Sequence, residues 1–320
     1  MGLKPYFGLR GNALLRAALF LVVCPTFTCY GYNMGVTGGL LTLDAFNSQF
    51  PRIDTIHTHG AQNQENSQMQ GTVIALYTVG GIFGALSCIF LGDLWGRRKV
   101  IFITNFVSII GAILMTASFD FAQFIVARLV LGLGIGGYVA TVPVWQSEIS
   151  PAHKRGSNVV TDGIFVGVGV TLALWIDLGF YFVKGNSVSW RFPLAFQIVM
   201  PVITMIFITM LPESPRWLIK NGQVEEGRKV LAALLDLDEH SDDVNENILS
   251  IETSLAYCPG SWTDKTIKRN RRTEAMPRTQ FFFYSMEGPR QVTHQHFHPE
   301  LWSSYVGPNL LLGKCMAIFY

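Results

Sequence analysis

The sequence predicts an all-α membrane protein: six transmembrane helices in one bundle, followed by cytosolic amphipathic helices. Three observations carry that prediction. Of the 320 residues 49% are hydrophobic and 14% charged, where a soluble domain carries about 25% charged residues. The charges are sparse from Leu14 to Leu211 and dense after Pro212, so an apolar part precedes a polar one. The sparse part divides into six apolar stretches, each near the length of about 20 residues that a helix needs to cross the hydrocarbon core.

Those stretches lie at about 14–34, 70–91, 99–118, 121–144, 157–183 and 191–211. Each reads as a helix because lipid offers backbone amides no other partner. Lys4, Arg10 and Arg16 ahead of the first run mimic a signal peptide. The run is too long for one, lacks a small-residue cleavage site and is followed by five more, so it reads as a span. The connections at 92–98 and 119–120 are short and force antiparallel hairpins. Gly80 and Gly84, Gly132 and Gly136, and Gly163 and Gly167 are each four apart, a spacing that lets helices approach closely in lipid.

Basic residues set the orientation. One side holds Lys4, Arg10, Arg16, Arg97, Arg98, Lys99, Lys154, Arg155, Arg216 and Lys220. The other holds Arg52 and Lys184, with Arg191 at the mouth of the sixth span. The basic side is expected to be cytosolic, with both ends of the six-span block on it. The division that follows is a cytosolic N-terminus at 1–13, a bundle at 14–211, an intracellular helical segment at 212–256 and an atypical tail at 257–320.

Three charges fall inside spans: Arg128 in the fourth, Asp162 and Asp177 in the fifth. A charge at a helix centre costs on the order of 3 kcal/mol, so each must face protein, water or an interface. Asp177, near the outer end, is expected to be hydrated. Asp162 is a candidate functional carboxylate, weighed against local capping or pairing.

Several function classes are excluded. A net charge of +2 without a clustered basic face argues against nucleic acid. Cys24, Cys29, Cys88, Cys258 and Cys315 form no C-x-x-C pair, which argues against a disulfide framework or a zinc site. No nucleophile motif, phosphate loop or metal cluster occurs, so neither an enzyme nor a cofactor is expected. The glycine string at 132–137 lies within a span with no strand before it and reads as packing.

The loops on the basic side pair acids with bases. Between the second and third spans stands Gly92-Asp93-Leu94-Trp95-Gly96-Arg97-Arg98-Lys99, where Asp93 is expected to cap the third span and Gly96 to take a φ that other residues avoid. After the fourth span Glu148 and Arg155 flank a turn in Pro143-Val144-Trp145-Gln146-Ser147-Glu148-Ile149-Ser150-Pro151. After the sixth comes Pro212-Glu213-Ser214-Pro215-Arg216-Trp217-Leu218. Positive-inside anchoring explains the bases but not their acids. A salt-bridge network that locks one conformation explains both.

These loops carry a resemblance. G-D-x-x-G-R-R, P-x-x-x-S-E-I-x-P-x-x-x-R-G and P-E-S-P-R-W-L, in this order relative to the spans, resemble the signatures of the sugar porters of the major facilitator superfamily, of the fungal hexose-transporter type. Gly31-Tyr32-Asn33 and Trp190-Arg191 resemble the family too. The resemblance covers about 14–256 and implies the N-terminal half of a two-bundle fold. It implies passage of a hexose or related sugar or polyol by alternating access. It also implies a cytosolic gating network of Asp93, Arg97, Arg98, Arg128, Glu148, Arg155, Glu213 and Arg216. Proton-coupled members often carry Asp where Asn33 stands, and Asn33 releases no proton. Asn33 and Asp162 are therefore the substrate or coupling candidates. A glutamine that many members place early in the fifth span is Gly163 here.

Past the bundle, residues 223–237 and 241–255 show helical apolar spacing, with Ser241 as an N-cap and Asp242 and Asp243 suited to a helix start. After Tyr257 the resemblance stops and no run is long enough to cross. The tail reads as disordered or frame-shifted, with the second six-span half missing and little transport expected from the chain alone. His294, His296 and His298 alternate, as zinc ligands on a strand face would. The partners expected are a sugar or polyol, the lipid bilayer and a second copy or a full-length relative on the exposed bundle face. The expected place is the plasma membrane, and the alternative function is a non-transporting membrane partner or a dimerising half-transporter.

Overall fold

The computed structural model describes residues 5–151, 155–183 and 186–256. All of them belong to the first of two compact units, residues 1–263. The second, with His294, His296 and His298, lies outside the described residues. Among those described, every regular element is helical.

Among the described residues, six helices are long and apolar enough to cross a membrane: Gly11–Leu40, Ala61–Trp95, Arg97–Thr116, Phe121–Ile149, Gly156–Tyr181 and Val188–Ile208, the first to sixth spans. The second is longer than its apolar stretch. Its start, with Gln62, Asn63, Gln64 and Glu65, is polar, and backbone hydrogen bonding continues where apolar composition stops. Its 35 residues make a helix about 52 Å long at ~1.5 Å per residue, well beyond the ~30 Å core.

Prolines shape the spans. In the first, a wider π turn at Leu19–Val23 comes just before Pro25. The sixth breaks into Val188–Phe196 and Val199–Ile208. Pro201 has no N–H to offer the carbonyl of Gln197. That carbonyl instead accepts from Cys29 Sγ at 3.7 Å, and the carbonyl of Pro193 accepts from the Tyr32 hydroxyl at 2.8 Å. The kink thereby ties the sixth span to the first.

The fourth span is the central one: 56% of its apolar window is buried, against 17% for the fifth span and 22% for the second. It packs on the second and third spans, and the first packs on the fifth. Glycines set the closest approaches. A Cβ at Gly84 would lie 2.1 Å from the carbonyl oxygen of Leu133, and one at Gly136 would lie 2.1 Å from that of Gly81. On the first–fifth interface the same job falls to Gly31 against Val166 and Gly169 against Thr28. Gly163 and Gly167 do not share it. Both are exposed, and nothing lies within 4 Å of a Cβ built there, so four-residue spacing alone misplaces the seam of the fifth span.

At the end opposite the basic loops, the short helix Asp44–Gln49 brings Phe46 and Phe50 against Phe124 and Trp190, with ring centroids 5.2 to 5.8 Å apart. At the basic end, Pro215–Lys220 leads into Val224–Leu235 and Asp242–Ala256. Ile219, Leu231, Val244, Ile248 and Leu255 close a small apolar core among these three. The Ser241 hydroxyl is buried without a partner, so Ser241 sits at the N-cap position without capping through its side chain. The first span's start holds the other end of this layer. Arg10 Nη2 donates to the carbonyl of Leu237 at 2.8 Å and Arg10 Nε lies 3.5 Å from Asp236, a cation at a helix C-terminus.

Candidate functional site

The turn between the second and third spans builds the site. Gly96 has φ 88 and ψ 163, a region left to glycine, and a Cβ there would meet Glu213 Oε2 at 2.7 Å. This turn aims the amides of Arg97 and Arg98 at Glu213. Arg97 N donates to Glu213 Oε1 at 3.0 Å, Arg98 N reaches both oxygens at 3.2 Å, and Ser214 N donates to Oε1 at 2.9 Å. Glu213, not Asp93, therefore caps the third span. The carboxylate arrives from the loop after the sixth span, 116 residues along the chain, a partner that sequence spacing could not supply. Burial pushes the Glu213 carboxyl above its ordinary range, while the amides of Ser214, Arg98 and Arg97 and the Arg98 charge pull it back.

The Arg97 guanidinium clamps Glu148 in a two-pronged pair, Nε to Oε2 at 3.0 Å and Nη2 to Oε1 at 3.1 Å. Its Nη1 donates to the Gly92 carbonyl at 2.8 Å and to Asp93 Oδ1 at 3.3 Å. The Arg97 and Glu148 side chains are 14% and 10% exposed, so the pair is largely shielded from water. Asp93 is half exposed and also takes Lys220 Nζ at 2.9 Å, while its carbonyl accepts from Trp217 Nε1 at 2.9 Å. Arg98 turns the other way and closes the C-terminal end of the sixth span, Nε to the Ile208 carbonyl at 3.1 Å and Nη2 to that of Thr209. Together these contacts tie the turn between the second and third spans to the end of the fourth span and to the end of the sixth and the segment after it. Lys220 and Trp217 join the cluster although spacing alone did not single them out.

Two of the expected members stand apart. Arg128 is eighth in the 29-residue fourth span and Glu148 is near its other end; 20 positions at ~1.5 Å put them about 30 Å apart. Arg128 is buried, donates to Thr37 Oγ1 at 2.8 Å and lies over the Phe124 ring, so it belongs to the opposite end of the bundle. Arg216 is exposed and makes no ion pair among the described residues. The Arg155 side chain lies outside the described ones.

Within the bundle, Asn33 is buried and spends its amide on its own helix, donating to the Cys29 carbonyl at 3.0 Å. Asp162 is 7% exposed. With its amide turned to donate, Gln146 of the fourth span reaches both Asp162 oxygens at 3.1 and 3.2 Å. Nearby a cavity of about 440 Å³ opens at the basic end, lined by Arg16, Gln146, Ser150 and Asn158 among others. Asp177 is not hydrated: it is 6% exposed, and the first span covers it.

The family profile described as sugar (and other) transporter matches residues 19–282. The chain belongs to the sugar transporter family. The match runs past residue 256, where the resemblance of motifs ends. The chain is similar to the sugar transporter STL1 of Saccharomyces cerevisiae, 35% identical over 254 residues, 78% of this chain and 44% of that one. It is 39% identical to the MFS-type transporter oryC of Aspergillus oryzae over 232 residues, 72% of this chain and 41% of that one. Among solved structures it is similar in fold to the proton:xylose symporter XylE of E. coli bound to 6-bromo-6-deoxy-D-glucose, with a TM-score of 0.64 and 20% identity over 77% of this chain and 54% of that one. The chain thus spans less than half the length of these curated relatives. This member of the sugar transporter family is a multi-pass membrane protein, and its family does transport rather than enzyme chemistry.

Proposed function

We propose that this chain is the six-span half of a transporter that passes a hexose or related polyol by alternating access, with its basic end in the cytosol of a plasma membrane. The observation that carries the reading is the two-pronged Arg97–Glu148 pair. It joins the second–third turn to the fourth span at one end only, and it is shielded from water. Such a pair resists separation while formed and can be exchanged for hydration when that end opens. Glu213 and Arg98 act beside it, closing the ends of the third and sixth spans. The proposed cycle opens the bundle at the basic end by releasing these contacts, and the aromatic cluster of Phe46, Phe50, Phe124 and Trp190 holds the opposite end.

Sugar as the substrate class is supported by the yeast relative's name and by the glucose derivative held by the xylose symporter. No cofactor enters the proposal. The wall opposite this bundle is to come from another six-span unit. A second reading, a half that pairs with its own copy or with a longer relative, is favoured by Gly163 and Gly167, whose exposed backbones have nothing within 4 Å of a built Cβ among the described residues.

Uptake of labelled hexose in a transporter-null cell tests the first reading. The expected result is saturable uptake from the chain joined to a second six-span half and near-background uptake from the chain alone. No uptake by the joined protein, for any hexose or polyol tried, overturns it. Native gels of the purified chain test the pairing.

A further inference from the structure

Asp177 lies four positions before the end of the fifth span, away from the Arg97–Glu148 pair that serves as the latch of the basic end. It is 6% exposed, and neither carboxyl oxygen has a hydrogen-bond partner. Its side chain rests on the backbone of Gly39 in the first span: a Cβ at 39 would come within 2.2 Å of Oδ2. Arg128 reaches the same level of the first span from the fourth. It is 3% exposed, donates to Thr37 and leaves its Nε without a partner. Thr37 and Gly39 are two residues apart, about 200° around a helix of ~3.6 residues per turn. The carboxyl and the guanidinium therefore flank the first span from opposite sides, about one helix width of ~10 Å apart.

A carboxylate in that position has lost its water and gained neither a donor nor a cation in contact. Burying a carboxylate without a partner is costly, and a bound proton removes the charge that makes it so. The titratable and charged groups on the elements packed against the fifth span do not relieve it. Tyr32 of the first span has its hydroxyl on the Pro193 carbonyl at 2.8 Å. Arg128 of the fourth is bound to Thr37. Arg191 of the sixth lies over the Phe119 and Trp190 rings, 4.7 and 4.9 Å from their centroids, with its Nη2 3.5 Å from the Ser118 carbonyl. Asn33, on the first span, has no proton to give.

We propose that Asp177 is a proton-binding site of this bundle, exchanging its proton with the water at the end opposite the latch when the first and fifth spans part. The O–H bond forms with a proton taken from that water and breaks by returning it there. The carboxylate left behind is stabilised by entering water. This deepens the transport reading, because opening of that end is then linked to the gain or loss of a proton. The use of the proton in transport rests on that reading, whereas the binding of the proton does not.

Infrared spectroscopy of the full 320-residue chain in lipid nanodiscs tests it without sugar. The expected result is a carbonyl stretch of a protonated carboxylic acid at neutral pH that fades as pH rises and is lost in Asp177→Asn. Asp162→Asn serves as the control for the other buried carboxyl inside the described spans and is expected to retain that band. A spectrum unchanged by Asp177→Asn, or without such a band at any pH at which the chain is folded, overturns the proposal. If Asp177→Asn fails to fold, Asp177→Glu decides: a displaced band supports the site and an unmoved one overturns it. Failure of uptake and failure of this site are thus separate results.

Discussion

At the scale of single residues, the bundle end is governed by Arg97 and by the turn that presents it. Arg97→Ala removes the two charge-assisted hydrogen bonds to Glu148, together with those to Asp93 and the Gly92 carbonyl, and strands Glu148, 10% exposed, in a mostly dry place. The expected loss is about 3 kcal/mol, most of it the cost of the orphaned carboxylate. Arg97→Ala with Glu148→Ala is expected to lose less than the two single changes added together, which a double-mutant cycle of detergent unfolding measures. Arg97→Lys keeps the charge and loses the fork, and should fall between. Gly96→Ala forces a side chain into φ 88 and against Glu213; the expected penalty is about 2 kcal/mol, read in the same unfolding assay. Asp54, in the loop of the opposite end, gives the acid response. Burial raises its carboxyl, but the amides of His57 and Ile56 and the His57 ring lower it by more, so the net shift is downward. A carboxyl lowered in the folded chain contributes stability above the unfolded value of about 3.9. That stability is lost as pH falls through the lower folded value, and Asp54→Asn should flatten this part of the acid limb. Sequence pairing of acids and bases located Asp93, Arg97, Arg98, Glu148 and Glu213. It could not say that Glu213 would cap the third span, because that depends on where segments 116 residues apart meet; that Arg128 sits at the far end follows from its own place early in the fourth span.

At the scale of the elements, close approach decides which glycines matter. Gly84→Ala places a methyl 2.1 Å from the Leu133 carbonyl oxygen and must push the second span off the fourth. A loss of about 2 kcal/mol is expected from such overpacking. Gly163→Ala meets nothing within 4 Å and is expected to be neutral or slightly stabilising, because alanine favours the helix. Equal effects of the two changes on unfolding would contradict this packing. Arg10→Ala removes the donors at the C-terminus of Val224–Leu235. Amide exchange there is expected to quicken, with the spans unaffected. The six spans were legible because lipid demands long apolar helices, and apolar length can be counted along a chain. The polar start of the second span was missed because it leaves the lipid while staying helical. The break in the sixth was missed because Pro201 acts through Gln197 and a thiol on another helix.

At the scale of the whole molecule, the central claim is that lipid is the solvent of the bundle. The spans expose large apolar side chains that water would not tolerate in one belt: Phe83 is 60% exposed, Phe90 72%, Phe106 51% and Trp175 68%. Polar side chains and charges inside the spans turn inward instead, as with Asn33, Arg128, Asp162 and Asp177. The most direct measurement is labelling of the chain in bilayers with a lipid-soluble photoreactive carbene, followed by peptide mapping. Label concentrated on the faces of Phe83, Phe90, Phe106 and Trp175, and absent from Arg97, Glu148 and the helix Asp242–Ala256, is the predicted result. Label spread evenly along the chain, or sparing those four aromatic residues, would contradict it.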